Sequence, residues 1–129
     1  MNNSEELTYS QKKYLFAIYK LWQNGGDIKS TDVAQITGVS KASTAVMMTK
    51  LVESGYIEKE YYGKIILTKN GMKAAEDIYS RCSVICRWFK DKLKIDDVQA
   101  DSDAVSIVSN ISDDTAAKFA EFILNDVII

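Results

Sequence analysis

The apolar positions of this chain follow helical spacing, change briefly to alternation, and then return to helical spacing. The run QKKYLFAIYKLWQNGG puts Tyr14, Leu15, Ile18, Leu21 and Trp22 on one helical face, with Ser10 expected as N-cap and Asn24-Gly25-Gly26 as the stop. A shorter helix is predicted next, capped by Ser30 or Thr31, turning Val33, Ala34 and Ile36 inward and ending at Gly38. Ser40 is the expected cap of a third helix to about Ser54, buried along Thr44, Met47, Met48, Leu51 and Val52. Only Gly38-Val39-Ser40 separates these two helices, which is the spacing of a helix-turn-helix. Residues 56–60 then alternate, 61–64 read as a turn, and Ile65-Ile66-Leu67 read as a returning strand. A hairpin directly after a helix-turn-helix is a wing.

Thr68 is expected to cap a long helix running to about Lys94. Met72, Ala75, Tyr79, Cys82, Cys86, Phe89 and Leu93 keep a 3-4 spacing along it, a seam suited to packing on a partner helix. Ile78, Ile85 and Trp88 widen that seam. Two more helices are predicted, over about Asp97–Asn110 with a stripe of Val105, Val108 and Ile111, and over about 113–126 with Phe119, Phe122, Ile123 and Val127, capped by Ser112. The expected fold is mainly α: a winged helix-turn-helix domain over residues 1–70, then a helical dimerisation domain over 71–129.

Composition narrows the function. The 129 residues include no histidine and no proline, so every imidazole base, histidine triad and imidazole metal site is excluded, and no proline interrupts the helices. The N-terminal MNNSEELTYS is polar and unlike a signal peptide, and no apolar run approaches the ~18 residues of a membrane span; a cytoplasmic protein with no membrane partner is the expectation. Charge is unevenly spread. Residues 1–70 hold nine Lys/Arg against seven Asp/Glu and residues 71–94 six against three, whereas residues 95–129 hold one against eight. A basic body with an acidic tail suits a nucleic-acid binder joined to a separate module. No phosphate-cradling glycine loop, paired catalytic carboxylates or activated nucleophile occurs, so no enzyme is expected.

The candidate interface is with double-stranded DNA. A helix fits the B-DNA major groove, and the first turn of the third helix offers Ser40, Lys41, Ala42 and Ser43. Ser43 can bond a base edge or phosphate, Ala42 can touch a thymine methyl, and Lys41 and Lys50 can meet phosphates or guanine, with Val46 and Thr49 continuing the readout. Amides near Lys29, Ser30 and Thr31 form a candidate phosphate site, and Tyr62 and Lys64 flank Gly63 at the wing. The competing reading is a winged-helix module that binds protein through a solvated Ser/Thr/Lys face.

The stretches LTYSQKKYLFAIYKL, STDVAQITGVS followed by TKLVESGYIE, and ILTKNGMKAAEDIYSR resemble the iron- and manganese-responsive repressors related to the diphtheria toxin repressor, in register from Leu7 to about Ser112. The two-domain manganese-sensing branch is nearest in size. The resemblance implies a homodimer on palindromic DNA, with metal ligands on the first, fourth and fifth helices. Those positions are Lys13 and Phe16; Cys82 and Cys86, where the family has histidine and glutamate; and Val105, Val108 and Ser109, where it has glutamate or cysteine, glutamate and histidine. Such a set does not suit Mn²⁺ or Fe²⁺, so no metal cofactor is expected. Two reader features also depart: Lys41-Ala42 replaces a frequent proline, and Tyr62-Gly63-Lys64 replaces a Tyr-Arg-Gly wing.

Cys82 and Cys86, four apart on one helical face, are candidates for a soft-metal or redox site, weighed against a simple role as small buried hydrophobes. Asp96, Asp97, Asp101, Asp103, Asp113 and Asp114 lack the pattern of a calcium loop and are expected to serve helix ends.

Overall fold

The computed structural model describes residues 7–128, and side chains through Asp126; residues 1–6 and the Val127 side chain, on which the sequence reading also drew, lie outside them. The order is α1 (Tyr9–Asn24), α2 (Ser30–Thr37), α3 (Lys41–Glu53), β1 (Ile57–Lys59), β2 (Ile65–Leu67), α4 (Lys69–Lys92), α5 (Asp97–Asn110) and α6 (Asp113–Ile128). This is the mainly helical architecture with a two-stranded wing that the periodicities predict. The described residues divide into two compact units, Ser10–Glu76 and the part from Asp77 onward together with residues 7–9; α4 runs through the boundary.

In the unit Ser10–Glu76, Leu15 and Ile18 of α1, Val33 of α2, Met48 and Leu51 of α3, and Ile57 and Ile65 of the hairpin are fully buried. The hairpin is antiparallel, with Ile57 opposite Leu67 and Lys59 opposite Ile65. Its turn closes through the Gly63 amide to the Glu60 carbonyl and the Glu60 amide to the Lys64 carbonyl, both at 2.8 Å. A further bridge was outside the reach of the sequence pattern: residue 29 pairs with Lys64, and the Ile65 amide donates to the Ile28 carbonyl at 2.7 Å. The wing is thereby fastened to the approach of α2.

Local chemistry sets most of the helix ends. Ser40 Oγ accepts from the Ser43 amide at 3.1 Å, Thr68 Oγ1 from Gly71 at 3.0 Å, and Ser112 Oγ from Thr115 at 3.1 Å, as expected of Ser and Thr caps. Gly38 stands in the left-handed conformation (φ 73°) with its amide on the Ala34 carbonyl, and so turns the chain from α2 to α3. Two expected caps are displaced. Ser10 lies inside α1, and α2 is closed by Asp32, which accepts from the Lys29 amide at 2.9 Å in place of Ser30 or Thr31.

Several apolar positions also lie elsewhere than expected. Trp22, Ile36, Val52 and Phe122 are exposed, although helical spacing places them inward. In the C-terminal unit the buried stripes are Ala100, Ala104, Val108 and Ser109 on α5 and Ala116, Ala120 and Ile123 on α6. Most of these buried positions are small, whereas Val98, Phe122 and Leu124 are exposed. Val105 and Ile111, expected on the α5 stripe, are half-buried.

Candidate nucleic-acid interface

α3 is held by its inner face. Thr44 is fully buried with its Oγ1 3.5 Å from the Tyr14 hydroxyl of α1, and Met48 and Leu51 pack into the core of the same unit. Lys41, Ala42, Ser43, Val46, Thr49 and Lys50 are exposed along the other side, as is Ala45, which the sequence reading left out. Ala45 follows Ala42 by three residues, so the helical period that placed its neighbours would have placed it too.

The polar groups on this face are partly committed. Ser40 Oγ is engaged as the cap, and Thr49 Oγ1 donates to the Ala45 carbonyl at 3.2 Å. Lys41 and Lys50 stand near opposite ends of the helix, and Ser43 is an exposed hydroxyl in its first turn. The face is therefore small and partly apolar in the middle, with a lysine near each end and exposed Glu53 one turn beyond Lys50.

Lys29 and Lys64, assigned separately from the sequence, are brought together by the bridge between the α2 approach and the wing. Two cations on neighbouring strands repel one another, and Asp27 offsets this with a 3.4 Å ion pair to Lys64 Nζ. Ser30 Oγ is buried and has no hydrogen-bond partner. The Lys29 amide is bonded to Asp32, whose carboxylate therefore sits at this helix end; the Ser30 and Thr31 amides belong to its first turn, which has no preceding helical carbonyl to bond. At the wing tip Tyr61 and Tyr62 meet edge-to-face, centroids 5.1 Å apart, and are 94% and 84% exposed. These aromatics are held outside the wing's base and packed on each other, with most of their surface open to solvent.

In the C-terminal unit Cys82 and Cys86 are buried thiols. Cys82 Sγ lies 3.9 Å from the Ala104 carbonyl, and Cys86 Sγ donates to Asp101 Oδ1 at 3.1 Å. Burial, then the Asp101 carboxylate, pushes the Cys86 thiol above its ordinary value, which suppresses the thiolate that oxidants and soft metals attack. The positions that the resemblance assigns to metal ligands supply a lysine, a phenylalanine, two thiols, two valines and a serine, with Val108 2% and Ser109 3% exposed. They do not fit Mn²⁺ or Fe²⁺, which take carboxylate, carbonyl, water and imidazole. Among the described residues no group of three or more His, Cys, Asp or Glu side chains is placed to hold a metal ion.

The aspartates have other work. Asp96 caps α5 through the Gln99 amide at 3.0 Å, and Asp103 accepts from Gln99 Nε2 at 2.8 Å. Asp97, Asp113 and Asp114 lie 3.8, 3.9 and 3.1 Å from Lys90, Arg81 and Lys118 respectively.

Residues 6–65 match the family described as iron dependent repressor, N-terminal DNA binding domain. Over 114 residues the chain is 26% identical to an uncharacterised HTH-type transcriptional regulator of Methanocaldococcus jannaschii, covering 88% of each protein. It is 28% identical over 116 residues to the HTH-type transcriptional regulator MntR of Shouchella clausii, covering 90% of this chain and 80% of that one. Among solved structures, the manganese regulator SloR superposes with a TM-score of 0.74 at 22% identity, over 88% of this chain and 53% of the other. IdeR of T. acidophilum superposes with a TM-score of 0.78 at 17% identity, over 100% and 56%. The chain thus spans little more than half the length of those two structures, whose likeness is one of fold.

Proposed function

We propose that this chain, whose residues 6–65 match the iron-dependent-repressor N-terminal DNA-binding domain, is a homodimeric repressor of palindromic DNA whose binding does not depend on Mn²⁺ or Fe²⁺. The observation that carries the DNA reading is the exposed outer face of α3 in the matching domain, with a lysine near each end. In this reading α3 enters the major groove, while Lys41 and Lys50 neutralise phosphates on the groove's walls. Lys29 and Lys64, with the amides of Ser30 and Thr31, take a flanking phosphate. Tyr62 lies at the wing tip against the backbone or minor groove.

The metal-independent part rests on the donor set. A lysine at position 13 and hydrocarbon at Phe16, Val105 and Val108 replace the groups a hard cation needs. Pairing of two copies rests on the C-terminal unit, where Trp88 of α4 and Ile123 and Leu124 of α6 line an apolar groove bordered by Arg87, Asp91 and Lys92. Exposed Phe122 and Leu93 extend the apolar surface of that unit.

A mobility-shift assay on DNA from the chain's own upstream region tests the proposal, run at ~50 mM salt where phosphate contacts are strongest. The expected result is the same shift with chelator and with added Mn²⁺. Binding that appears only with Mn²⁺ overturns the metal-independent reading. Absence of any shift on genomic fragments favours the protein-interaction module.

A further inference from the structure

The outer face of α3 has an uneven chemistry that bears on which DNA it selects. Val46 is 58% exposed in the middle of the helix. Ala42 and Ala45, four residues and one residue before it, are exposed on the same face. A branched apolar side chain so placed gains nothing from solvent. Of the polar groups near it, Thr49 donates its hydroxyl proton to the Ala45 carbonyl at 3.2 Å and Ser40 is occupied as the cap, while the exposed Ser43 hydroxyl lies one turn nearer the helix start. The two lysines are near the helix ends, where long flexible cations reach phosphates rather than the base edge opposite Val46.

Base edges in the major groove present ring nitrogens, carbonyl oxygens and amino groups, all of which lose hydrogen bonds to water when covered by hydrocarbon. The C5 methyl of thymine is the one apolar group among them. Resting on the DNA-binding reading above, we infer that Val46, flanked by Ala42 and Ala45, is a specificity-determining residue that selects thymine methyl groups beneath the middle of α3. The selection has two sides. A methyl buried against Val46 contributes favourably, and a guanine or cytosine edge there is left without its water and without a partner.

The test begins by selecting duplexes from a random-sequence library with the purified full-length protein, then resynthesising the recovered duplex with uracil in place of thymine in each half-site. Uracil keeps every hydrogen-bonding group and lacks only the methyl. The expected result is a recovered half-site containing thymine, with affinity falling about fourfold for each contacted methyl removed. Val46→Ala is expected to weaken binding to the thymine duplex and to leave binding to the uracil duplex nearly unchanged. Because Val46 is exposed, the variant opens no cavity in the core. Equal affinity for the two duplexes, equal weakening of both by Val46→Ala, or recovery of no common sequence overturns the inference while leaving DNA binding in place. Failure of the wild-type chain to retain any duplex overturns the DNA-binding reading and this inference with it.

Discussion

Cys86 shows how one contact changes the meaning of a residue. By spacing alone it is, with Cys82, a candidate for a soft-metal or redox site or else a small buried hydrophobe; in the structure its thiol is buried and donates to Asp101 Oδ1 at 3.1 Å. Burial disfavours the thiolate, and deprotonation would also set it beside that carboxylate, so the folded pKa lies above the ordinary 9.0. The folded state therefore holds its proton more tightly than the unfolded chain. That stabilisation is complete below the unfolded value and is lost as pH rises through the folded one. Urea denaturation is expected to show stability falling above about pH 9, with a smaller fall in Cys86→Ala. Alkylation of the native protein near neutral pH is expected to be slow at this position, and rapid labelling would contradict the buried-thiol role. The i, i+4 spacing was visible in the sequence. Asp101, fifteen residues away, was not assignable to it, because which face of α5 meets α4 is a matter of packing.

Elements are joined here by a compact hydrogen-bonded node. Thr68 Oγ1 donates to the Gly55 carbonyl at 2.6 Å and accepts from Gly71, while the Thr68 amide donates to the Tyr56 carbonyl at 3.1 Å. One residue thus fastens the end of α3, the start of the wing and the first turn of α4. Gly71 is required by proximity: a Cβ there would lie 1.8 Å from the Tyr56 carbonyl oxygen. Gly71→Ala must displace backbone and is expected to cost about 3 kcal/mol in thermal or urea unfolding. Thr68→Ala loses a cap and is expected to cost about 1 kcal/mol. The sequence identified the cap because its partner is three residues away. The need for glycine at 71 arises from Tyr56, on a different element. The helices of the C-terminal unit teach a related lesson. Their existence followed from periodicity, yet the stripes they bury run through Ala100, Ala104, Ala116 and Ala120, because periodicity marks a face by its large apolar residues and burial is set by what packs against it.

At the scale of the whole molecule, the acidic composition of residues 95–129 keeps net charge from marking the protein as a DNA binder, although the first seventy residues are mildly basic. If two copies pair through the α4–α6 groove, a charge placed there should separate them. Leu124 is 51% exposed, so Leu124→Asp is expected to leave the fold intact, shift sedimentation from dimer to monomer, and weaken binding to a two-half-site duplex far more than to a single half-site. A variant that remains dimeric would place the pairing surface elsewhere.

The sequence by itself determined the order of helices and wing, the Ser40, Thr68 and Ser112 caps and the Gly38 turn. Each depends on residues within about one helical turn, where backbone geometry and short hydrogen bonds act alone. It also carried the residue pattern by which residues 6–65 match the iron-dependent-repressor DNA-binding domain. Only the tertiary structure decided which apolar residues stay outside, Trp22 and Ile36 among them, because helical spacing offers an apolar face and packing determines how much of it is covered. It likewise brought residue 29 to Lys64, Lys64 to Asp27 and Cys86 to Asp101. These are pairings across long stretches of chain, set by how surfaces close on one another rather than by any local preference of the residues involved.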